Sequence, residues 1–278
     1  MESPTLQLSV EHGPPPVIHA VGELNYTNCD KLATLISQAQ DGPGSSVALA
    51  LRGLEFVDSS GLRILLIAAR DAAEVGGTVR IISLNRQFRH ILEISGLGHM
   101  FEIAPGAYEE MPAPGVCIPA LPSHSFSIPC VGSACHDART GVRGFAHAMG
   151  FDELALDDIT LAVGEAVSNA IRHGKAGTEG IHVECRAEDC KLAVVLRYES
   201  AVFDPDSLPI PDIQSKPSGG MGVYFMKLVM DRVHYAFNDG HATVTLEKQA
   251  GDGESQESRR LLNKGPFSSR PLFGTPRL

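Results

Sequence analysis

A proline- and glycine-rich segment, APGAYEEMPAPGVCIPALPSH (residues 104–124), divides the chain into two differently patterned halves. Proline and glycine interrupt helices and strands, so such a segment is typical of a linker. A length of 278 residues suits two domains of ordinary size. We predict a first domain over 1–105, a linker over 106–123, a second domain over 124–249 and a disordered tail over 250–278.

The first half alternates strand and helix patterns. LQLSVEH and VIHAVGEL are predicted strands, paired across a turn formed by Gly13 to Pro16. TNCDKLATLISQAQ then has leucine and isoleucine at helical spacing, and Thr27 with Asp30 resembles a capping box. Strand and helix patterns continue to alternate through VALALRGL, the helix after FVDSSG, TVRIISL and RQFRHILEISG. This alternation predicts a small α/β domain, a mixed sheet with helices.

The second half has helical patterns first and strand patterns afterwards. The predicted helices cover about 134–149 and 152–173. Strands in GIHVECRAED and KLAVVLRYES follow, then a helix in VYFMKLVMD and two strands flanking Asn238-Asp239-Gly240, a strong hairpin signal. This order predicts an α+β sandwich.

Composition excludes several classes of function. The net charge of −10 argues against a nucleic-acid partner, because a basic surface supplies most of that affinity. No apolar run approaches the roughly 20 residues that span a membrane, and MESPTLQLSVEHG lacks the order of a signal peptide, so we expect a cytoplasmic protein. Cys130, Cys135 and His136 match no common zinc spacing, and the six cysteines are expected to be thiols in a reducing compartment.

The segment GEAVSNAIRHG places three polar residues four apart: Glu165, Asn169 and His173. A helix aligns them along one stripe among apolar neighbours, where polar groups are costly to bury without partners. A carboxylate at such a site can accept a proton from a hydroxyl, and an amide oxygen can bind magnesium. On spacing alone, a polar helix face turned to solvent is the favoured explanation.

The segment SGGMGVYFM places Gly219, Gly220 and Gly222 at the start of a helix. Such a start exposes backbone N–H groups and the positive end of the helix dipole, which suits a phosphate. By itself the motif is more typical of an ordinary loop before a helix. Together with the polar stripe it indicates a nucleotide site.

These two motifs resemble the GHKL ATPase family, and most of all its anti-sigma factor serine kinases, over about residues 124–248. The resemblance implies that Glu165 is the general base and that Asn169 binds magnesium. It also implies that Gly219, Gly220 and Gly222 bind the triphosphate of ATP. His173 belongs to the same motif.

The chain departs from this family where the adenine base is recognised. The family usually has D-x-G-x-[GS]-F there, whereas this chain has YESAVF, with Tyr198 at the aspartate position and Ser200 at the glycine position. Glu199 would take the place of the aspartate only if the strand slipped by one residue, which would turn it to the other face. Loss of the acceptor is expected to weaken ATP binding by about a few kcal/mol.

The first half resembles the STAS domain of anti-sigma factor antagonists over nearly all of residues 5–104, most specifically at DSSG before an apolar helix. The resemblance implies that Ser59, directly after Asp58, is phosphorylated by a partner kinase. An aspartate of the family's GELD segment is Asn25 here. A phosphate would add roughly −1.5 to −2 charges at this helix start. Asp58 or Ser59 as a simple helix cap is the structural alternative.

Two functions follow from the combined resemblances. One is a bacterial partner-switching regulator with an ATP- and magnesium-dependent kinase domain, which phosphorylates Ser59 in cis or in trans, or a separate antagonist. The other is a non-catalytic docking module with a degenerate nucleotide site. Sigma factors or anti-sigma and antagonist proteins are the expected partners. Because a short linker gives an effective concentration near millimolar, an intramolecular or homodimeric STAS–ATPase contact is also expected.

Overall fold

The computed structural model describes residues 5–40, 42, 44–107, 123–130, 133–174, 180–188, 190–200 and 220–250. Most of the predicted linker and the predicted tail after residue 250 lie outside these ranges. Within them, no helix has both the length and the apolar character needed to cross a membrane.

The first half contains a five-stranded sheet in the order β1-β2-β3-β4-β5. Its first pair is antiparallel and its other neighbours run parallel, which confirms the predicted mixed sheet. The strands are β1 (Gln7–Glu11), β2 (Val17–Leu24), β3 (Val47–Val57), β4 (Val79–Leu84) and β5 (Glu102–Ile103). The two-residue strand β5 was not predicted, because so short a segment has no periodicity of its own.

Three helices accompany this sheet: α1 (Cys29–Ala39), α2 (Ser59–Glu74) and α3 (Arg86–Ser95). The start of α1 differs from the predicted capping box, because its N-cap is Asn28 and not Thr27. The Asn28 amide is occupied before the helix begins: it accepts from Asn25 N at 2.9 Å and donates to Glu23 O at 2.8 Å.

The second half is an antiparallel five-stranded sheet in the order β6-β7-β8-β10-β9 together with three helices, which confirms the α+β prediction. Asp239 and Gly240, with φ of 51° and 79°, form the predicted hairpin turn. The elements are β6 (Ser123–Ile128), α4 (Ala134–Ala148), α5 (Glu153–His173), β7 (Ile181–Glu188), β8 (Lys191–Glu199), α6 (Met221–Val229), β9 (Arg232–Asn238) and β10 (His241–Gln249).

Helix α5 is the central element of the second half. It begins at the N-cap Asp152, whose side chain accepts from Ala155 N at 2.8 Å. Its neighbours include α4, α6 and strands β8 and β10. Thirteen of its 21 residues are buried, so polar groups on this helix lie inside the protein and need partners there.

Candidate functional site

Asp58 is the N-cap of α2, which leaves the Ser59 side chain available for another contact. One Asp58 oxygen accepts from the backbone N–H groups of Ser60 and Gly61, both at 2.9 Å. The other accepts from Tyr26 N at 2.9 Å. The helix-cap explanation of this motif therefore applies to Asp58, while Ser59 is the first residue of the helix.

Glu165 of the second half accepts hydrogen bonds from both the hydroxyl and the backbone N–H of Ser59. The Ser59 hydroxyl donates to Glu165 Oε2 at 2.8 Å, and the Ser59 backbone N–H donates to Glu165 Oε1 at 2.5 Å. Both residues are buried, with exposed fractions of 7% for Ser59 and 2% for Glu165. Two residues that the sequence singled out separately are thus hydrogen-bonded within one chain.

The environment of Glu165 raises its pKa to about 8. Burial is the largest cause, because a carboxylate loses its hydration there, and the negative charge of Asp58 adds to it. The two hydrogen bonds from Ser59 and the positive charge of Arg172 act in the opposite direction. A carboxyl group with a pKa near neutral pH suits a general base.

The N-terminus of α6 lies directly against Glu165 and Asn169. A Cβ at Gly222 would be 2.6 Å from Glu165 Oε2 and 3.4 Å from Asn169 Nδ2, so only glycine allows this approach. Gly220 precedes the helix as its N-cap, with a φ of 88° that favours glycine. Gly219, the remaining predicted phosphate-binding residue, lies outside the described residues.

His173, the other predicted member of the polar stripe, is the last residue of α5 and is exposed. It lies about 12 Å along the helix axis from Glu165, at a rise of about 1.5 Å per residue. Partial burial and the neighbouring Arg172 lower the pKa of its imidazole. Among the described residues, no hydrogen bond or ion pair joins it to Glu165 or Asn169.

Tyr198 occupies the buried face of β8. Its side chain is 5% exposed, and burial raises its pKa to about 12. The pairing of β8 with β10 is continuous from Lys191 to Glu199, with Tyr198 opposite Ala242. Because no slip occurs, Glu199 points to the other face and does not replace the missing aspartate. Ser200 is also buried and donates its N–H to Gly240 O at 2.9 Å.

A second contact between the halves surrounds Glu23 at the end of β2. Glu23, 3% exposed, accepts from Arg139 Nη2 at 2.6 Å and lies 2.8 Å from His136 Nδ1. The Arg139 guanidinium carbon lies 3.7 Å from the centre of the Phe56 ring. A Cβ at Gly164 would be 2.8 Å from the same ring, so this glycine lets α5 approach Phe56 closely.

A third contact joins the start of α3 to the start of α5. Arg86 Nε donates to Asp157 Oδ2 at 3.0 Å, and Arg86 Nη2 donates to Glu153 Oε2 at 3.1 Å. Arg143 of α4 pairs with the same two acids at 3.3 and 2.5 Å. These groups are more exposed than Glu23 and Arg139, so their ion pairs are weaker and screened by salt.

Sequence reasoning missed the residues that hold the two halves together. Glu23, Arg139 and Arg86 carry no local signal, because an ion pair across a domain boundary leaves no periodicity in either segment. Gly164, in contrast, does carry a local signal. A glycine inside a long helix costs about 1 kcal/mol relative to alanine, which indicates that another part of the protein approaches the helix closely there.

Two family models match this chain in succession. Residues 9–103 match a STAS domain, and residues 133–248 match a histidine kinase-like ATPase domain.

Individual relatives match the two halves separately. The serine-protein kinase RsbW of Bacillus licheniformis is 30% identical over 122 residues, which are 40% of this chain and 74% of that protein. The putative anti-sigma factor antagonist BtrV of Bordetella bronchiseptica is 30% identical over 83 residues, 30% of this chain and 72% of that protein. The crystal structure of the RsbU and RsbW domains of Rv1364c from Mycobacterium tuberculosis is also similar, with 19% sequence identity and a TM-score of 0.37. The match covers 49% of this chain and 34% of the chain in that structure.

The family matches cover the two halves whose folds were described above, and they do so in the same order along the chain. The chain therefore belongs to the STAS family through its first half and to the histidine kinase-like ATPase family through its second, a partner-switching regulator with both domains in one polypeptide.

Proposed function

We propose that this regulator is an ATP-dependent serine kinase that phosphorylates its own Ser59. The observation that carries the proposal is the 2.8 Å hydrogen bond from the Ser59 hydroxyl to Glu165 Oε2. A nucleophile and a general base must lie within hydrogen-bonding distance for proton transfer, and here they do. The relatives of the second half include proteins named serine-protein kinases, which supports the same activity.

Each residue of the site then has one task. Glu165 takes the proton from Ser59 Oγ as this oxygen becomes the nucleophile. Asn169 would hold magnesium through its amide oxygen, and the N–H groups at the start of α6, with Gly219, Gly220 and Gly222, would bind phosphates. Bound ATP would supply the phosphoryl group. The close packing of Gly222 against Glu165 and Asn169 fits such a group, because the three residues converge at one helix N-terminus.

The residues that would recognise adenine fit less well. A buried phenol at Tyr198 stands where the related kinases have a carboxylate acceptor, so the base loses its charged partner. This observation favours a second candidate function, a docking module whose nucleotide site is degenerate. The extended contact between the halves would then be the functional feature, with Ser59 held by Glu165 but not phosphorylated.

One experiment separates the two functions. The purified full chain is incubated with magnesium and ATP, and phosphate on Ser59 is measured by mass spectrometry. The kinase function predicts modification at Ser59 that is abolished in Ser59→Ala and reduced at least a hundredfold in Glu165→Gln, as expected for loss of a general base. The docking function predicts no modification and no heat of binding at millimolar nucleotide, and that result would overturn the kinase.

The contact between the halves also bears on partners. We propose that it forms within one chain in solution and competes with sigma factor, anti-sigma or antagonist proteins for the same surfaces. Relatives named as serine-protein kinases and as an anti-sigma factor antagonist support partners of this class. A cytoplasmic location stays a prediction from the sequence.

A further inference from the structure

A buried ion pair lies in the ATPase domain away from Ser59 and Glu165. Lys248 Nζ of β10 donates to Asp158 Oδ2 of α5 at 2.7 Å. Both residues are 6% exposed. A buried charge needs further hydrogen bonds, because a single partner does not replace the water that it has lost.

A residue of the STAS domain also contacts this ion pair. His90 of α3 has its Nε2 3.0 Å from Asp158 Oδ1. Asp158 is a carboxylate in its pair with Lys248 and has only lone pairs to offer, so the His90 ring must donate the proton. His90 thus binds the one oxygen of Asp158 that the lysine leaves open.

The position of this pair connects domain docking to the catalytic site. Asp158 lies two turns before Glu165 on α5, so both carboxylates lie on the same side of the helix. Lys248 Nζ also donates to Val229 O at 2.6 Å, and Val229 is the last residue of α6. The other end of α6 carries Gly222, which packs against Glu165.

We propose that Asp158 and Lys248 form a second recognition site of the ATPase domain, which selects a STAS domain with a hydrogen-bond donor at position 90. Binding of His90 completes the hydrogen bonds of Asp158 and fixes Lys248 against the C-terminal end of α6. His90 is therefore a positioning and specificity-determining residue, not a catalytic one. The inference rests on the same contact of Ser59 with Glu165 as the proposed function, but it does not require phosphoryl transfer.

The test measures amide hydrogen exchange in the full chain without nucleotide. His90→Phe keeps a ring but removes the donor, whereas His90→Gln keeps a donor. We expect amides at the start of α2 and in α6 to exchange roughly tenfold faster in His90→Phe, the effect of losing one hydrogen bond to a charged group, and close to the wild-type rate in His90→Gln. His12→Phe makes the same change at an exposed position between β1 and β2 and should leave exchange unchanged.

The outcomes separate this inference from the proposed kinase. Two results would overturn the recognition site. One is an amide exchange rate in His90→Phe equal to that of the wild type, and the other is the same increase in exchange rate in His90→Phe and His90→Gln. If the wild-type chain is not phosphorylated but His90→Phe opens the start of α2, the kinase proposal fails and the recognition site stands. If the chain is phosphorylated, the initial rate in His90→Phe should fall at least fivefold, and His90→Gln should restore it.

Discussion

At the scale of single residues, the proposed kinase requires that the pKa of Glu165 sets the pH at which Ser59 can react. Its pKa of about 8 means that the carboxyl group holds a proton over most of the neutral range. Below that pKa the carboxylate fraction falls tenfold for each pH unit, and only the carboxylate can accept the Ser59 proton. We expect the initial rate of Ser59 phosphorylation to rise with pH and to level off above about 8. A rate independent of pH from 6 to 9 would contradict this assignment.

Asp58 provides a control for that pH profile. Its charge is the second cause of the raised pKa of Glu165, after burial. Asp58→Asn removes this charge, and asparagine is as good an N-cap as aspartate. The midpoint of the rate profile should therefore move to lower pH. Asp58→Ala also removes the charge but costs about 1 kcal/mol of cap stability, whereas Asp58→Asn keeps the cap and loses the hydrogen bond from Tyr26 N. A shift of the midpoint that both variants share therefore reports the charge.

A substitution at Gly222 tests whether the start of α6 must touch Glu165, the proposed general base. A Cβ at this position would lie 2.6 Å from Glu165 Oε2. Gly222→Ala should lower the rate of Ser59 phosphorylation at least tenfold, since a displacement of about 1 Å in a catalytic site costs up to a hundredfold. The rate is measured by mass spectrometry alongside the melting temperature.

Gly144→Ala is the matched control for that substitution. Gly144 is exposed in α4, and a Cβ there would meet nothing within 4 Å. Alanine should stabilise this helix by up to about 1 kcal/mol and leave the rate unchanged. An unchanged rate in Gly222→Ala would show that the close packing is not needed for the reaction.

At the scale of elements, α5 combines the functions of the second domain. It carries the proposed base and magnesium ligand, and it contacts the STAS domain through Asp157, Asp158, Gly164 and Glu165. Gly164→Ala should have two opposite effects: a gain of about 1 kcal/mol in helix propensity and a clash with Phe56. We expect faster amide exchange at the start of α2 together with an unchanged or higher melting temperature of the ATPase domain. Unchanged exchange would show that α5 tolerates a Cβ at this contact.

Most elements were predictable because their signals are local. The apolar spacing of α5 and its N-cap Asp152 defined its limits, and the Asn-Asp-Gly turn defined the last hairpin. Glu165, Asn169 and the glycines were predicted as a group because each is part of a short motif. Their contact with Ser59 was not fixed by pattern, since 106 residues separate Ser59 from Glu165 and nothing local records the distance between them. The same holds for His90 and Asp158, which look like ordinary surface residues in the sequence.

At the scale of the whole molecule, charged and polar pairs define how the two domains fit together. Glu23 with Arg139, Arg86 with Asp157 and His90 with Asp158 each join one domain to the other. Buried ion pairs add little net stability compared with apolar contacts, but removing one partner leaves an unpaired charge. An arrangement of the domains that breaks one of these pairs is therefore disfavoured.

The arrangement within one chain predicts that phosphorylation is intramolecular. Mixing full chains that carry Ser59→Ala with full chains that carry Glu165→Gln supplies an intact base and an intact serine on different molecules. We expect no phosphate on Ser59 in this mixture above the level in the Glu165→Gln chain alone, because each serine is held by its own tethered domain at an effective concentration near millimolar. The wild-type rate constant should likewise not change with protein concentration. Phosphate on the Glu165→Gln chain, increasing with concentration, would instead show a head-to-tail dimer in which Ser59 of one chain reaches Glu165 of another.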